Sequence, residues 1–195
     1  ADEPRFDHDP ETGESLGLLI EESRTNLLTY SEEFNFWTSN IVPATITSNA
    51  DTSPDGRITS DKMSGGRIER RNITYTEALT YTFSLYVKGK AGQTIGIGRF
   101  IAGSDGDIVL SYSTLNGNWQ RISYTFTSPI TSSSSRVVIS GSGDKTGTAT
   151  NFLIWGAQLE VGSFPTSYIP TKGSTVTRNA DEASITGTNF TSWWN

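Results

Sequence analysis

The chain contains no cysteine, one methionine and one histidine. Without cysteine there is no disulfide, no thiolate nucleophile and no zinc–thiolate site, which argues against a small secreted disulfide scaffold. Basic charge is also scarce. Fifteen Lys and Arg stand against 21 Asp and Glu, giving a net charge of −6 and a pI near 4.8. Nucleic-acid binding needs cations clustered against phosphate, so that class of partner is excluded. The one basic cluster, RIERR from Arg67 to Arg71, is interrupted by Glu69 and reads as charge protecting an exposed strand edge. No apolar run approaches the roughly 20 residues of a membrane span. Sustained Leu/Ala/Glu/Lys stretches are missing too, which leaves little material for long helices.

What the chain does contain is strand and turn chemistry. Ser and Thr supply 52 of its 195 residues and Gly another 19. β-Branched Thr suits strands, while Ser and Gly suit turns. In TYTFSLYVKG, Leu79, Tyr81, Phe83, Leu85 and Val87 share one face, and Thr80, Thr82, Ser84, Tyr86 and Lys88 the other. That period of two predicts a strand with one face in the core. IVPATIT, QTIGIGRFI, DIVLSYS, WQRISYTFT, RVVIS and NFLIWGAQLEV are further strand candidates. SPDG, GKAG, GSDG, NGN and SGSGDKTG separate them as turns, and TSSSS, Thr131 to Ser135, reads as a loop. A single helical turn is expected at Ser31 to Phe34, with Ser31 as its cap. Spacings of about ten to eighteen residues predict an all-β sandwich of two packed antiparallel sheets.

The motifs resolve mostly toward structure. DTSPDGRITSDK carries Asp51, Ser53 and Asp55 at the first spacings of a calcium loop, but Lys62 stands where the bidentate Glu belongs. It reads as a Pro-Asp-Gly hairpin turn. GIGRFI has Ile101 in place of the third glycine of a dinucleotide fingerprint and no helix after it, so its glycines belong to a strand. The neighbouring carboxylates Glu21/Glu22 and Glu32/Glu33 would point to opposite faces of a strand, which does not make an acid–base pair. His8 has no nucleophile beside it. The expectation is a protein that is not an enzyme.

Trp37, Trp119 and Trp155 read as core or rim packing. Tyr86 differs, because alternation turns it away from the apolar stripe, beside Ser84 and Lys88. An outward ring flanked by hydrogen-bonding groups suits a sugar, whose apolar face stacks on the ring. Tyr86 and Lys88 are therefore candidate ligand-binding residues, with Arg99, Tyr112 and Arg121 from neighbouring strands. Tyr112 shares parity with Ile108 and Leu110, which also fits a core position.

Taken in order, RTNLLTYSEEFNFW, YTFSLYVKG, NWQRISYTFT and FLIWGAQLEVGSFPTSYIPT resemble the blocks of a jelly-roll carbohydrate-binding-module-like domain of bacteriophage tail-fibre and virion proteins. PRFDHDPETGESLGLLIEESRTNLL resembles the connector that precedes that domain, and TRNADEASITGTNFTSWWN the passage into a following one. The resemblance implies an extended arm over residues 1–24, a sandwich over 25–172 and a linker over 173–195 leading to a further domain. It implies a virion, extracellular location and a glycan-binding, adhesive role, with polysaccharide and other domains of the same protein as partners. The alternative is a structural module that joins tail-fibre subunits as a homo-oligomer and holds no sugar. Modules of this type often carry a structural calcium held partly by an Asp pair in the last strand, where this chain has Trp155 and Gly156. By that resemblance Glu32 or Glu33 would be the N-terminal ligand, and Glu160 would substitute for the pair. In WGAQLEVGSFPTSYIPT the first half reads as the last long strand, and the second as an extended tail lying along the sandwich, with Phe164, Tyr168 and Ile169 plugging its end.

Overall fold

The computed structural model describes residues 6–8, 12–39 and 41–183. Thirteen strands follow one another: β1 (Phe6–His8), β2 (Ser15–Leu18), β3 (Arg24–Asn26), β4 (Thr45–Thr52), β5 (Ile58–Ser64), β6 (Arg67–Tyr75), β7 (Thr80–Gly89), β8 (Thr94–Phe100), β9 (Val109–Thr114), β10 (Gln120–Thr127), β11 (Ser132–Ser140), β12 (Asn151–Val161) and β13 (Val176–Arg178). A five-stranded sheet runs β10-β7-β12-β5-β4 and a four-stranded sheet β6-β11-β8-β9, with antiparallel pairing throughout both. Contacts divide the chain into two units, Thr25–Thr177 and the two ends, Ala1–Arg24 with Arg178–Asn195.

In the larger unit the core lies between the two sheets, as an all-β sandwich requires. Phe83, Leu85, Ile154 and Leu159 face inward from the five-stranded sheet, and Ile68, Ile97, Val137 and Ile139 from the four-stranded one. One end is filled by packed rings of Tyr75, Tyr81 and Phe126, with centroids 4.9–5.8 Å apart. The Pro-Asp-Gly turn joins β4 to β5 as expected. Gly56 sits at φ 83, where a side chain would be strained, and Asp55 accepts hydrogen bonds from Ser53 Oγ and the Arg57 backbone N–H.

Several local readings change. The serine run is no loop: Ser132–Ser135 open β11 and pair with β6 across a register shift. RIERR does lie on an edge strand, β6, but its first charges are not exposed. Arg67 and Glu69 are buried, and Arg67 is bidentate to Asp144 at 2.5 and 2.8 Å, under the loop that follows β11. The helical turn forms two to three residues late, as a 3₁₀ turn at Phe34–Phe36, and Ser31 does not cap it. The Ser31 hydroxyl instead lies 2.6 Å from Tyr168 Oη and accepts the Thr171 N–H at 2.8 Å.

In the smaller unit β1 and β2 pair antiparallel, so the expected arm is itself a hairpin. Leu16, Leu18 and Ile20 are exposed. The terminal pair Trp193 and Trp194 lies outside the described residues.

Candidate functional site

The outward face of the five-stranded sheet was the expected binding surface, and half of it is covered. Beyond Gly162 the chain folds back over β12, β7 and β10. Glu160, fully buried, accepts the Thr166 N–H at 2.7 Å and the Thr166 hydroxyl at 2.7 Å. The Gln158 side chain accepts the Ile169 N–H at 2.7 Å, and the Asn26 amide donates to the carbonyls of Ala157 and Ile169. Thr82 and Ser84, expected at the solvent side, are therefore fully buried. The tail lies along the sandwich as expected, over the sheet face, but Phe164, Tyr168 and Ile169 do not plug its end together. Ile169 is buried and Tyr168 rests on Trp155 at 4.6 Å between centroids, whereas Phe164 is exposed. Burial above all pushes the Tyr168 phenol up in pKa, and Glu32, which accepts its hydrogen bond at 3.1 Å, adds to that push.

The five candidate ligand residues do not come together. Tyr86 is half-buried against Trp155 at 5.5 Å, with the Arg121 guanidinium over its ring at 5.4 Å. Arg121 is a clamp for the tail rather than a free donor: one Nη donates to the Thr166 carbonyl at 2.7 Å and the other to Ser84 Oγ at 3.0 Å. Arg99 belongs to the other sheet. It points toward the sandwich interior, over the Phe126 ring at 5.0 Å, and is ion-paired with Asp105. Tyr112 is on that second sheet too, lying across Gly96, where a Cβ would come within 3.0 Å of its ring. Arg99 and Tyr112 thus leave the proposed surface, because β8 pairs with β11 and β9 with β8, and neither with β7.

What remains open on the face is the row beyond Tyr86. Lys88 pairs in register with Leu153, and Leu153 with Lys62. Ser64 and Asn151 pair one row further, their side chains joined at 2.8 Å. Trp119, one residue ahead of the register pair Gln120–Val87, flanks Lys88 and donates its indole N–H to the Thr52 carbonyl at 3.2 Å. Sequence reasoning missed Lys62, Ser64, Asn151 and Leu153. Only the pairing of β5 with β12, distant in sequence, places them beside Lys88.

The calcium expectation does not fit. Glu160 is bonded to the tail, and Glu32 to Tyr168. Asp61, near Glu32 and Glu33, has its oxygens occupied by the backbone N–H groups of Phe34 and Asn49. Burial pushes its carboxyl up in pKa against those two hydrogen bonds. Among the described residues no group of three or more Asp, Glu, His or Cys is gathered for a metal.

A second concavity, of about 430 Å³, lies along β6. Phe36, Thr38, Arg70, Arg71 and Asn72 are among the residues that line it, and the Thr38 N–H donates to the Glu69 carbonyl at 3.1 Å.

With this geometry in hand, comparison with known proteins is informative. Residues 30–146 match the family model of a carbohydrate-binding domain (CBM_4_9). The chain belongs to this family. No curated protein matches the sequence. Among solved structures, the domain resembles the tailspike protein 4 enzymatically active domain of bacteriophage CBA120 at 11% identity and a TM-score of 0.52, covering 70% of this chain and 21% of that one. It also resembles the CBM22-1–CBM22-2 tandem of Paenibacillus barcinonensis Xyn10C, at 17% identity and 0.51, covering 75% and 49%. The CBM22-1–GH10 modules of Clostridium thermocellum xylanase 10B, a structure complexed with xylohexaose, match at 14% and 0.50, covering 77% and 30%. The chain thus spans less than half of each of these proteins. Such likenesses establish the carbohydrate-binding domain's jelly-roll fold; the ligand has to be argued from its own residues.

Proposed function

We propose that this carbohydrate-binding domain is a non-catalytic, adhesive module of a virion tail protein that holds polysaccharide on the outward face of its five-stranded sheet. The observation that carries this reading is the open patch left by the tail. Tyr86 and Lys88 stand two residues apart on β7, with Leu153, Lys62, Ser64 and Asn151 beside them. The exposed part of the Tyr86 ring and the Leu153 side chain offer apolar surface to a pyranose, while the ammonium, hydroxyl and amide groups reach its hydroxyls. Against catalysis, the carboxylates of Glu69, Glu160, Asp61 and Asp144 are all buried and hold the domain's own donors. The virion context is supported by the sequence blocks that resemble tail-fibre domains, and a tailspike protein shares the fold.

A single shallow site of this kind should bind with a Kd of about 0.1–1 mM, raised to useful avidity by fibre multivalency. The test is a glycan array, then titration of the captured oligosaccharide with Tyr86→Ala. At least a tenfold loss is expected, with an unchanged thermal melt. Unaltered affinity in a folded variant would remove Tyr86 from the site. The second reading, a module joining tail-fibre subunits, is favoured by the exposed Leu16, Leu18 and Ile20. Light scattering that reports an oligomer, together with an empty array, would select it.

A further inference from the structure

The groove along β6 takes no part in the surface proposed above, and its chemistry differs. The 3₁₀ turn buries Phe34, stacks Trp37 toward Phe83 at 6.5 Å, and turns Phe36 outward. One face of the Phe36 ring lies on Tyr30 at 4.2 Å, nearly parallel, yet half of its surface stays exposed. Tyr30 is held firmly for this role. It adopts φ 59, its N–H donates to the Lys172 carbonyl at 2.7 Å, and its own carbonyl accepts the Trp37 indole N–H at 3.1 Å.

Arg70 and Arg71 line the groove with Phe36, from the two faces of the edge strand β6: Arg70 is in register with Val137 and Arg71 with Arg136. Arg70 sits over the Tyr30 ring at 5.3 Å, and among the described residues only one Nη has a hydrogen-bond partner, Thr29 Oγ1. Arg71 is partly exposed and pairs with buried Glu69 at 2.8 Å, while its Nε is buried without a partner. Glu69 cannot neutralise this corner alone, because Arg67 and Arg136 also lie within 3.5 Å of it. Counting Asp144 on Arg67, three arginines meet two acids here, and Arg70 beside them makes no ion pair among the described residues, in a chain of net charge −6. A fixed aromatic platform beside unsatisfied guanidinium donors suits a sugar ring bearing an anionic group, since guanidinium matches carboxylate and sulfate in a two-point fork.

We propose that this groove is a second glycan site, selective for an anionic sugar residue, with Phe36 stacking on the ring and Arg70 holding the charge. The volume of about 430 Å³ falls in the range of about 300–1,000 Å³ usual for small-ligand sites. This inference shares the carbohydrate-binding reading but not its surface, so the two fail separately.

The experiment titrates the whole chain with three probes: a trigalacturonate, the same oligomer as its methyl ester, and a sulfated disaccharide. Calorimetry on wild type, Phe36→Ala, Arg70→Gln and Tyr86→Ala supplies the readout, with thermal melts to confirm folding. The uronate, the sulfated sugar or both should bind wild type, and added salt should weaken that binding. Whichever binds identifies the natural anion's class. The methyl ester should bind at least tenfold more weakly than the uronate. Phe36→Ala and Arg70→Gln should each lose at least tenfold, whereas Tyr86→Ala should lose nothing. Binding of neither anionic probe, equal binding of ester and acid, or loss confined to Tyr86→Ala overturns the proposal. Phe36 is half exposed, so its removal tests the groove without emptying the core.

Discussion

Thr82 and Phe83 are neighbours on β7, aimed at opposite faces, and both are fully buried. Alternation alone puts Phe83 in the core and Thr82 in water. Phe83→Ala should lose about 3–5 kcal/mol, the usual range for emptying a buried aromatic site. Thr82 is no longer the neutral control. Its hydroxyl donates to the Gly162 carbonyl at 2.8 Å and lies 2.9 Å from Thr125 Oγ1. Thr82→Ala should therefore lose about 1–2 kcal/mol, because it removes two part-buried hydrogen bonds from a side chain that is itself buried. Urea denaturation of both variants measures the pair. A Thr82→Ala midpoint equal to wild type would show that the tail does not seal this face.

At the scale of elements, the segment after β12 decides what the five-stranded sheet can bind. The Gly162 N–H donates to the Thr80 carbonyl of β7, and beyond it side chains hold the segment: Gln158, Glu160, Arg121 and Asn26. Gln158→Leu keeps much of the volume but leaves the Ile169 N–H without its acceptor. Hydrogen exchange at Ile169 and Thr166 should accelerate at least tenfold in that variant, while the amides of β7 stay protected. If Ile169 exchanges as slowly as before, the side-chain clamp is not what holds the segment.

Across the whole molecule, the polar groups buried on the outward faces set the response to acid. Asp144 is subject to burial, which raises its pKa. The hydrogen bonds from Arg67 and Ser140 outweigh that and hold it below the usual carboxylate value. A depressed carboxyl contributes stability that is present above its unfolded pKa, about 3.9, and is lost as pH falls through the folded value. Asp61 has the opposite sign: its raised pKa means that protonation favours the folded state as pH falls toward 3.8. The domain should therefore hold its stability down to about pH 4 and lose it below, as Asp144 protonates. Asp144→Asn should be less stable by about 3 kcal/mol at pH 7, where Arg67 keeps only the 3.4 Å contact to Glu69. That deficit should shrink at pH 3, as denaturant titrations at the two pH values will show. An equal deficit at both would mean that the carboxylate's charge contributes nothing.

The sequence by itself determined the class of fold and most of the strands. TYTFSLYVKG and NFLIWGAQLEV coincide with β7 and β12 because period two and β-branched content act locally, within one strand. Turn chemistry at SPDG was equally local. Only the tertiary structure decided which faces meet water. Thr82 and Ser84 look solvent-facing in sequence, and a segment arriving from beyond Gly162 buries both. Arg99 and Tyr112 seemed to flank Tyr86, but sheet order separates them, and no local pattern encodes which strand pairs with which. Phe36 and Arg70 lie 34 positions apart, on a short turn and a strand, and form one groove only through the long-range closure of the sandwich. Local chemistry specifies an element; a site made from several elements exists only after they have packed.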